Sequence, residues 1–297
     1  MRSKLMWFGL ASLAVVIASC GSGNPSDNDA SATSEEVFPG RPQLVVANSP
    51  GSLTTSGQQR IMTALVGGEA NSFLGGDDHP ITIRFELVRG EDDGGESGDG
   101  ATSAEWLTTN ASDLGLYVSR FSFDAAGTWR LTASDGSREL ASTQFEITVE
   151  SAVPQPGDPA PLSVTPTAFT AAEIAEVSTD TDPDPSFYEL TVAEAVQNGR
   201  STMIIFSTPA FCTTALCGPT MDFAKLAIEG QEDLDVVHVE PFDLELAPTG
   251  VLEPIEAMSD FGVATEPWIF LVDADGVVTH SFEGIIGQRE LEDALES

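Results

Sequence analysis

Lysine is almost missing from this 297-residue chain. Lys4 and Lys225 are the only two, and together with ten arginines they face 47 acidic residues, for a formal net charge of −35. So little positive charge excludes the phosphate-tracking surface that nucleic-acid binding requires, and no nucleic-acid partner is expected. Histidine and cysteine are equally scarce, at three each, so metal-ligating or nucleophilic chemistry can only come from His79, His238, His280, Cys20, Cys212 and Cys217. Long apolar runs are also lacking. The longest, "LMWFGLASLAVVIAS", is short of the roughly 20 residues that span a bilayer as a helix.

That run follows Arg2 and Lys4 and ends in "IASC", the pattern of a signal peptide over residues 1–19. Ala18 and Ser19 directly before Cys20 resemble the lipobox of bacterial lipoproteins. The resemblance implies that Cys20 is lipidated and becomes the new N-terminus, anchoring the protein on the extracytoplasmic face of the cell membrane. Losing Arg2 and Lys4 would leave ten basic against 47 acidic residues, a charge of −37 with Lys225 as the sole lysine. Residues 20–40 begin "CGSGNPSDNDASATSEEV", too small and polar to bury a core, and fit a lipidated tether. Outside the cytoplasm disulfides persist, and Cys212 and Cys217 then form an even pair.

Residues 41–150 alternate with period two. Ile81, Ile83, Phe85 and Leu87 do so in "ITIRFELV", Trp129, Leu131 and Ala133 in "TWRLTAS", and Phe145, Ile147 and Val149 in "FEITVE". "QLVVA", "RIMTALV" and "LYVSRFSF" add strands, and the expected fold is an immunoglobulin-like β-sandwich. The acidic insert "GEDDGGESGDG" at 90–100 lacks the ligand spacing of a calcium loop and fits a solvated hairpin turn.

Residues 151–186 are rich in proline and fit a linker. From 187 to 297 the pattern changes to helix "ELTVAEAVQNG", strand "TMIIFS", a helix over about 214–229, strand "DVVHVEP", a helix around 253–261, strands "WIFLVDAD" and "VVTHSFEG", and helix "GQRELEDALE". This order predicts an α/β domain, a mixed sheet with helices on both faces.

Within it, "FSTPAFCTTALCGPT" puts two cysteines five positions apart at a strand-to-helix turn. In one continuous helix such positions lie about 8–9 Å apart at Cα, beyond the 7 Å or so that a disulfide tolerates. Bonding therefore requires Cys212 to lie in the loop or the first turn to unwind, and Pro219 favours a helix start near Gly218. No lysine, arginine or histidine lies within the motif to lower a thiol pKa, and Glu266 would oppose a thiolate by like charge.

These residues resemble the thioredoxin fold. "FSTPAFC" is similar to its strand-to-active-site turn, "TEPWIFLVDADGVV" to the stretch carrying its cis-proline, here Pro267, and "GDPAPLSVTP" to the opening of redoxin domains, so the likeness covers 157–297. The resemblance implies an α/β thioredoxin-like domain that exchanges disulfides with exported protein thiols or disulfides. Cys212 would be nucleophile, Cys217 resolver, and Pro267 the holder of the partner strand. No cofactor and no metal are assigned.

The motif departs from the family's C-x-x-C. Its spacing resembles the peroxiredoxin Q class, but Thr208 stands four residues before Cys212, and only Arg200 and Arg289 are candidates to hold a peroxide oxygen. Sco-type copper chaperones pair a shorter C-x-x-x-C with a histidine. "CGPT" at 217–220 matches C-G-P-C with Thr220 in place of its second cysteine. Here His238 and His280 fit strand residues, His79 a loop, and Asp273 and Asp275 a hairpin turn. A binding or adapter lipoprotein with a structural disulfide is the alternative, and thiol peroxidase or copper-chaperone work are further ones.

Overall fold

Eight strands of the N-terminal half form one hydrogen-bonded sheet. β1 (Gln43–Val46), β2 (Gln59–Gly67), β3 (Ser72–Leu74), β4 (Ile81–Leu87), β5 (Gly100–Thr108), β6 (Gly115–Phe121), β7 (Gly127–Ser134) and β8 (Glu139–Ile147) are ordered β1-β2-β6-β5-β4-β7-β8, with β3 on β2. All pairings are antiparallel. This computed structural model describes residues 37–68, 72–88, 99–108, 115–212 and 216–297, which belong to one compact unit. The signal peptide 1–19, Cys20, most of the 20–40 tether and nearly all of the 90–100 insert lie outside the described residues. None of the described helices is long and apolar enough to cross a membrane.

The fold class expected from the sequence is overturned: the protein is mostly β, a nearly closed barrel-like sheet beside a small mixed sheet, and is not an α/β thioredoxin fold. In place of a sandwich, β5 joins what would have been two sheets. Its residues 100–104 pair with β4 and its residues 105–108 with β6. A strand that changes partner along its length turns a barrel corner, and a sandwich would need it to belong to one layer. The two path ends, β1 and β8, also contact each other. Just beyond them, Thr148 N–H donates to the Leu53 carbonyl and Thr55 N–H to the Thr148 carbonyl, each at 3.1 Å. The alternating residues fill the interior, with Ile83, Phe85, Trp129 and Leu131 fully buried among Phe121, Phe123 and Phe145. Val149, expected inside, is exposed because β8 ends at Ile147.

The second sheet has four strands, β9 (Ser201–Phe206), β10 (Leu234–Val239), β11 (Trp268–Val272) and β12 (Val278–Glu283), ordered β10-β9-β11-β12. β9 runs parallel to β10 and antiparallel to β11, which is antiparallel to β12. Its helices are short: α1 (Ala171–Val177), α2 (Val192–Gln197), α3 (Cys217–Ala227), α4 (Glu256–Asp260) and α5 (Gln288–Leu295). The periodic stretch 189–199 yields only the six residues of α2, because Thr191 caps its start through Glu194 and the chain leaves the helix at Asn198. The proline-rich stretch 151–186 carries α1, started by the reciprocal cap of Thr170 and Glu173. It also binds the β11–β12 turn, through Ala160 N–H to the Gly276 carbonyl, and α4, through Ser163 Oγ to Asp260.

Barrel and second sheet meet on a mixed surface. Met62, Ala64, Leu116 and Val118, on the outside of the barrel, pack with Leu216 and Ile285. Beside them the buried Glu283 carboxylate accepts from Ser49 N–H (2.6 Å), the Ser49 hydroxyl, Ser52 Oγ (3.1 Å) and Asn48 Nδ2 (3.2 Å). Arg60 reaches the Glu283 and Ile285 carbonyls and pairs bidentately with Glu290, which also meets Arg120. Gly284 turns here at φ 67°, the left-handed region that glycine adopts without strain.

Candidate functional site

β9 is the interior strand that delivers the cysteine loop. Flanked by β10 and β11 and buried from Thr202 to Phe206, it ends in Ser207 and Thr208, both fully buried. Ser207 N–H donates to the Val239 carbonyl, and Ser207 Oγ donates to the Cys217 carbonyl at 3.1 Å. The Ser207 carbonyl faces His238 Nε2 at 2.9 Å. A carbonyl can only accept, so Nε2 carries the proton, and Nδ1 accepts from the Tyr188 hydroxyl at 3.0 Å. Burial holds this imidazole down to about 4, so it is neutral.

A second set of bonds fixes the loop from the other side. Ala210 N–H donates to Thr179 Oγ1, and Thr179 in turn donates its N–H and hydroxyl to Glu240 Oε1, both at 2.6 Å. Burial pushes the Glu240 carboxyl up, against the hydrogen bonds from Thr179. Lys225, on α3, pairs with Asp180 at 2.6 Å and donates to the Asp182 carbonyl, tying the helix to the same segment.

At the loop's tip Cys212 and Cys217 are joined as a disulfide, with Cα atoms 6.0 Å apart. Cys217 is the first residue of α3 and fully buried, whereas Cys212 lies in the loop and is half-buried. Of the two arrangements the spacing allowed, the structure has the first: Cys212 lies in the loop and the first turn stays wound. Thr213, Thr214 and Ala215 lie outside the described residues. The Cys217 N–H points at Cys212 Sγ, 3.2 Å away. Across from the pair, a carboxylate oxygen of the buried Glu266 and the two sulfurs all lie within 4.8 Å of one another. Pro267 follows in a cis peptide, is buried, and accepts the Gly284 N–H on its carbonyl at 2.8 Å.

The other candidates lie elsewhere. Arg200 stands just before β9, at the end opposite the cysteines, paired with Asp235. Arg289 is on α5, in a cleft with Arg120, Glu290 and Asp293. Neither forms a peroxide-holding group beside Cys212. His280 stacks on Phe282 in β12, and burial lowers its pKa. The His79 carbonyl accepts from Tyr117 Oη. Asp273 Oδ1 accepts from Asp275 and Val277 N–H, closing the β11–β12 turn.

Sequence reasoning missed Glu240, Tyr188 and the Glu283 cluster. One signal was present: in "VVHVEP" the two polar residues of a buried strand, His238 and Glu240, fall two apart and so share a face.

No family model and no curated protein matches the chain. Among solved structures, domains 6–7 of the surface-layer protein SbsC align with 44% of this chain and 54% of that one, at 15% identity and a TM-score of 0.23. The chain thus spans about half the length of that structure, and so weak a likeness says nothing about fold or function.

Proposed function

We propose that this protein is an envelope-anchored lipoprotein, held through Cys20, whose Cys212–Cys217 pair exchanges disulfides with exported proteins. The observation that carries the reading is the asymmetry of the pair: one sulfur is half-buried in a loop, and the other is fully buried at the start of an 11-residue helix. An incoming partner can reach only the first.

In the reduced form Cys212 acts as a thiolate and attacks one sulfur of the partner's disulfide. That S–S bond breaks, and its other sulfur leaves and takes up a proton. Cys217 then loses its proton and attacks Cys212 Sγ, releasing the partner's second sulfur as a thiol. The partner ends as a dithiol and the pair as a disulfide, and with an oxidised pair the same steps run in reverse. The Cys217 N–H, donating to Cys212 Sγ, stabilises the thiolate form, as does the N-terminus of α3. Pro267 follows Glu266, the carboxylate beside the pair, and is tied to the junction turn by the Gly284 N–H on its carbonyl.

The test is trapping in the native envelope. Cys217→Ser, which cannot resolve, accumulates a mixed disulfide with an exported protein, and Cys212→Ser does not. If neither variant traps a partner, the disulfide is a structural one in an adapter protein.

A further inference from the structure

The exchange reading leaves Glu266 unexplained. A carboxylate beside two sulfurs opposes thiolate formation, and burial strengthens that opposition because water screens it poorly. The same three groups become mutually compatible when a cation lies between them.

We propose that the reduced site binds a zinc-class divalent metal through Cys212 Sγ, Cys217 Sγ and the Glu266 carboxylate. The three ligand atoms come from two different segments and already lie within 4.8 Å of one another. A tetrahedral zinc centre has Zn–S near 2.3 Å and Zn–O near 2.0–2.2 Å, which puts its sulfurs about 3.8 Å apart. Cys212 and Cys217, with Cα atoms 6.0 Å apart, reach that separation by side-chain rotation once the bond between them is cleaved. Two thiolates and one carboxylate suit zinc, a borderline ion, better than magnesium or calcium, which select oxygen alone. Three protein ligands leave a fourth position for water or another donor. The backbone that carries the ligands is tied down as well: Ser207 Oγ donates to the Cys217 carbonyl, and the Gly284 N–H to the carbonyl of Pro267, next to Glu266.

Metal and disulfide exclude each other. A dithiol reductant gives two electrons and two protons to the S–S bond and becomes a disulfide; the two thiols then lose their protons as the metal binds. Oxidation of the pair by a partner's disulfide expels the ion. This inference rests on the pair being reducible, which the exchange reading also requires.

Cobalt(II), whose bonds to thiolate give a near-ultraviolet charge-transfer band, is the probe. The full-length chain carrying Cys20→Ser, so that the pair supplies its only thiols, is reduced with a dithiol, freed of it without oxygen and titrated with cobalt. One cobalt binds per chain, zinc displaces it, and an oxidised sample shows no band. Glu266→Gln weakens binding at least about tenfold, while Glu266→His, which restores a ligand, retains it; circular dichroism checks the fold of each variant. Two thiols by titration with no charge-transfer band, or equal affinity in Glu266→Gln, overturns the metal site and leaves exchange standing. If no thiols appear on reduction, both readings fail.

Discussion

The backbone N–H of Cys217 lies 3.2 Å from Cys212 Sγ and directs its hydrogen at it. The residue that starts α3 thus also solvates the loop sulfur, and the two cysteines differ in both access and stabilisation. After reduction Cys212 is expected to react with iodoacetamide at least about tenfold faster than Cys217, because the thiolate fraction and exposure set the rate. Peptide mapping over a time course checks this. Equal rates would remove the asymmetry on which the nucleophile assignment rests.

Glu283 links the second sheet to the barrel through four donors from Asn48, Ser49 and Ser52. Charge-assisted hydrogen bonds of this kind are the strong ones, and Glu283→Ala leaves their buried donors unpaired. The variant is expected to lose about 2–4 kcal/mol in chemical unfolding, with Glu283→Gln losing less. A loss within error would mean that the junction depends on the apolar contacts alone.

Leu216 is the last residue before α3 and packs on Met62 and Val118 of the barrel. Leu216→Ala is expected to cost about 2–4 kcal/mol through the cavity left at a joint that can collapse only partly. Because the neighbouring residue is Cys217, the variant should also expose that thiol to alkylation once reduced. Unchanged protection of Cys217 would show that the barrel does not shape the site.

The buried His238 gives a pH signature. Its folded value, about 4, lies below the ordinary 6.5, so the unfolded chain takes up a proton first as pH falls. The stabilisation is complete above about 6.5 and is lost towards 4, to a total of about 3 kcal/mol. Glu240 works oppositely: its raised folded value makes it destabilising above the unfolded carboxylate range, and that penalty eases as pH falls. His238→Gln should therefore flatten the fall in stability between pH 6.5 and 4, measured by urea unfolding at several pH values. Parallel curves for the variant and the parent would refute the assignment.

Lipidation predicts that Cys20→Ala frees the protein from membranes. Fractionation followed by mass analysis of the N-terminal peptide decides it, and retention of an unmodified, cleaved chain would contradict the anchor.

Much of the local structure was legible in the sequence. The alternation of "ITIRFELV" and "TWRLTAS" marks residues that do fill the barrel, and the strands "TMIIFS" and "WIFLV" are where the structure has them. The global arrangement was not legible, and β5 shows why. Its sequence, "GATSAEWLT", buries only Ala104 fully, so no period-two apolar signal announces it. Without it the remaining strands divide into two sheets, and with it they form one path that nearly closes. In the second half, helices expected over 253–261 and 189–199 shrink to five and six residues, and the eight strands of the first half make the protein as a whole mostly β. Contacts such as Ser49 with Glu283 join residues 234 positions apart and leave no local trace. At the site, the cysteines and Pro267 were visible as motifs. Glu240 left only its spacing from His238 in "VVHVEP" as a trace, and its contact with the Thr179 segment is set by the fold.

The central claim, that Cys212 and Cys217 form a working redox couple, is tested most directly by the reduction potential of the pair. Closing a loop of six residues constrains the unfolded chain by only about 2 kcal/mol in the chain-entropy model, little for a bond whose purpose is stability. Equilibration against a dithiol couple of known potential is expected to place the pair above about −300 mV, with a melting temperature that falls only slightly on reduction. A potential well below that value, together with unfolding of the second sheet when the bond is cleaved, would contradict the account.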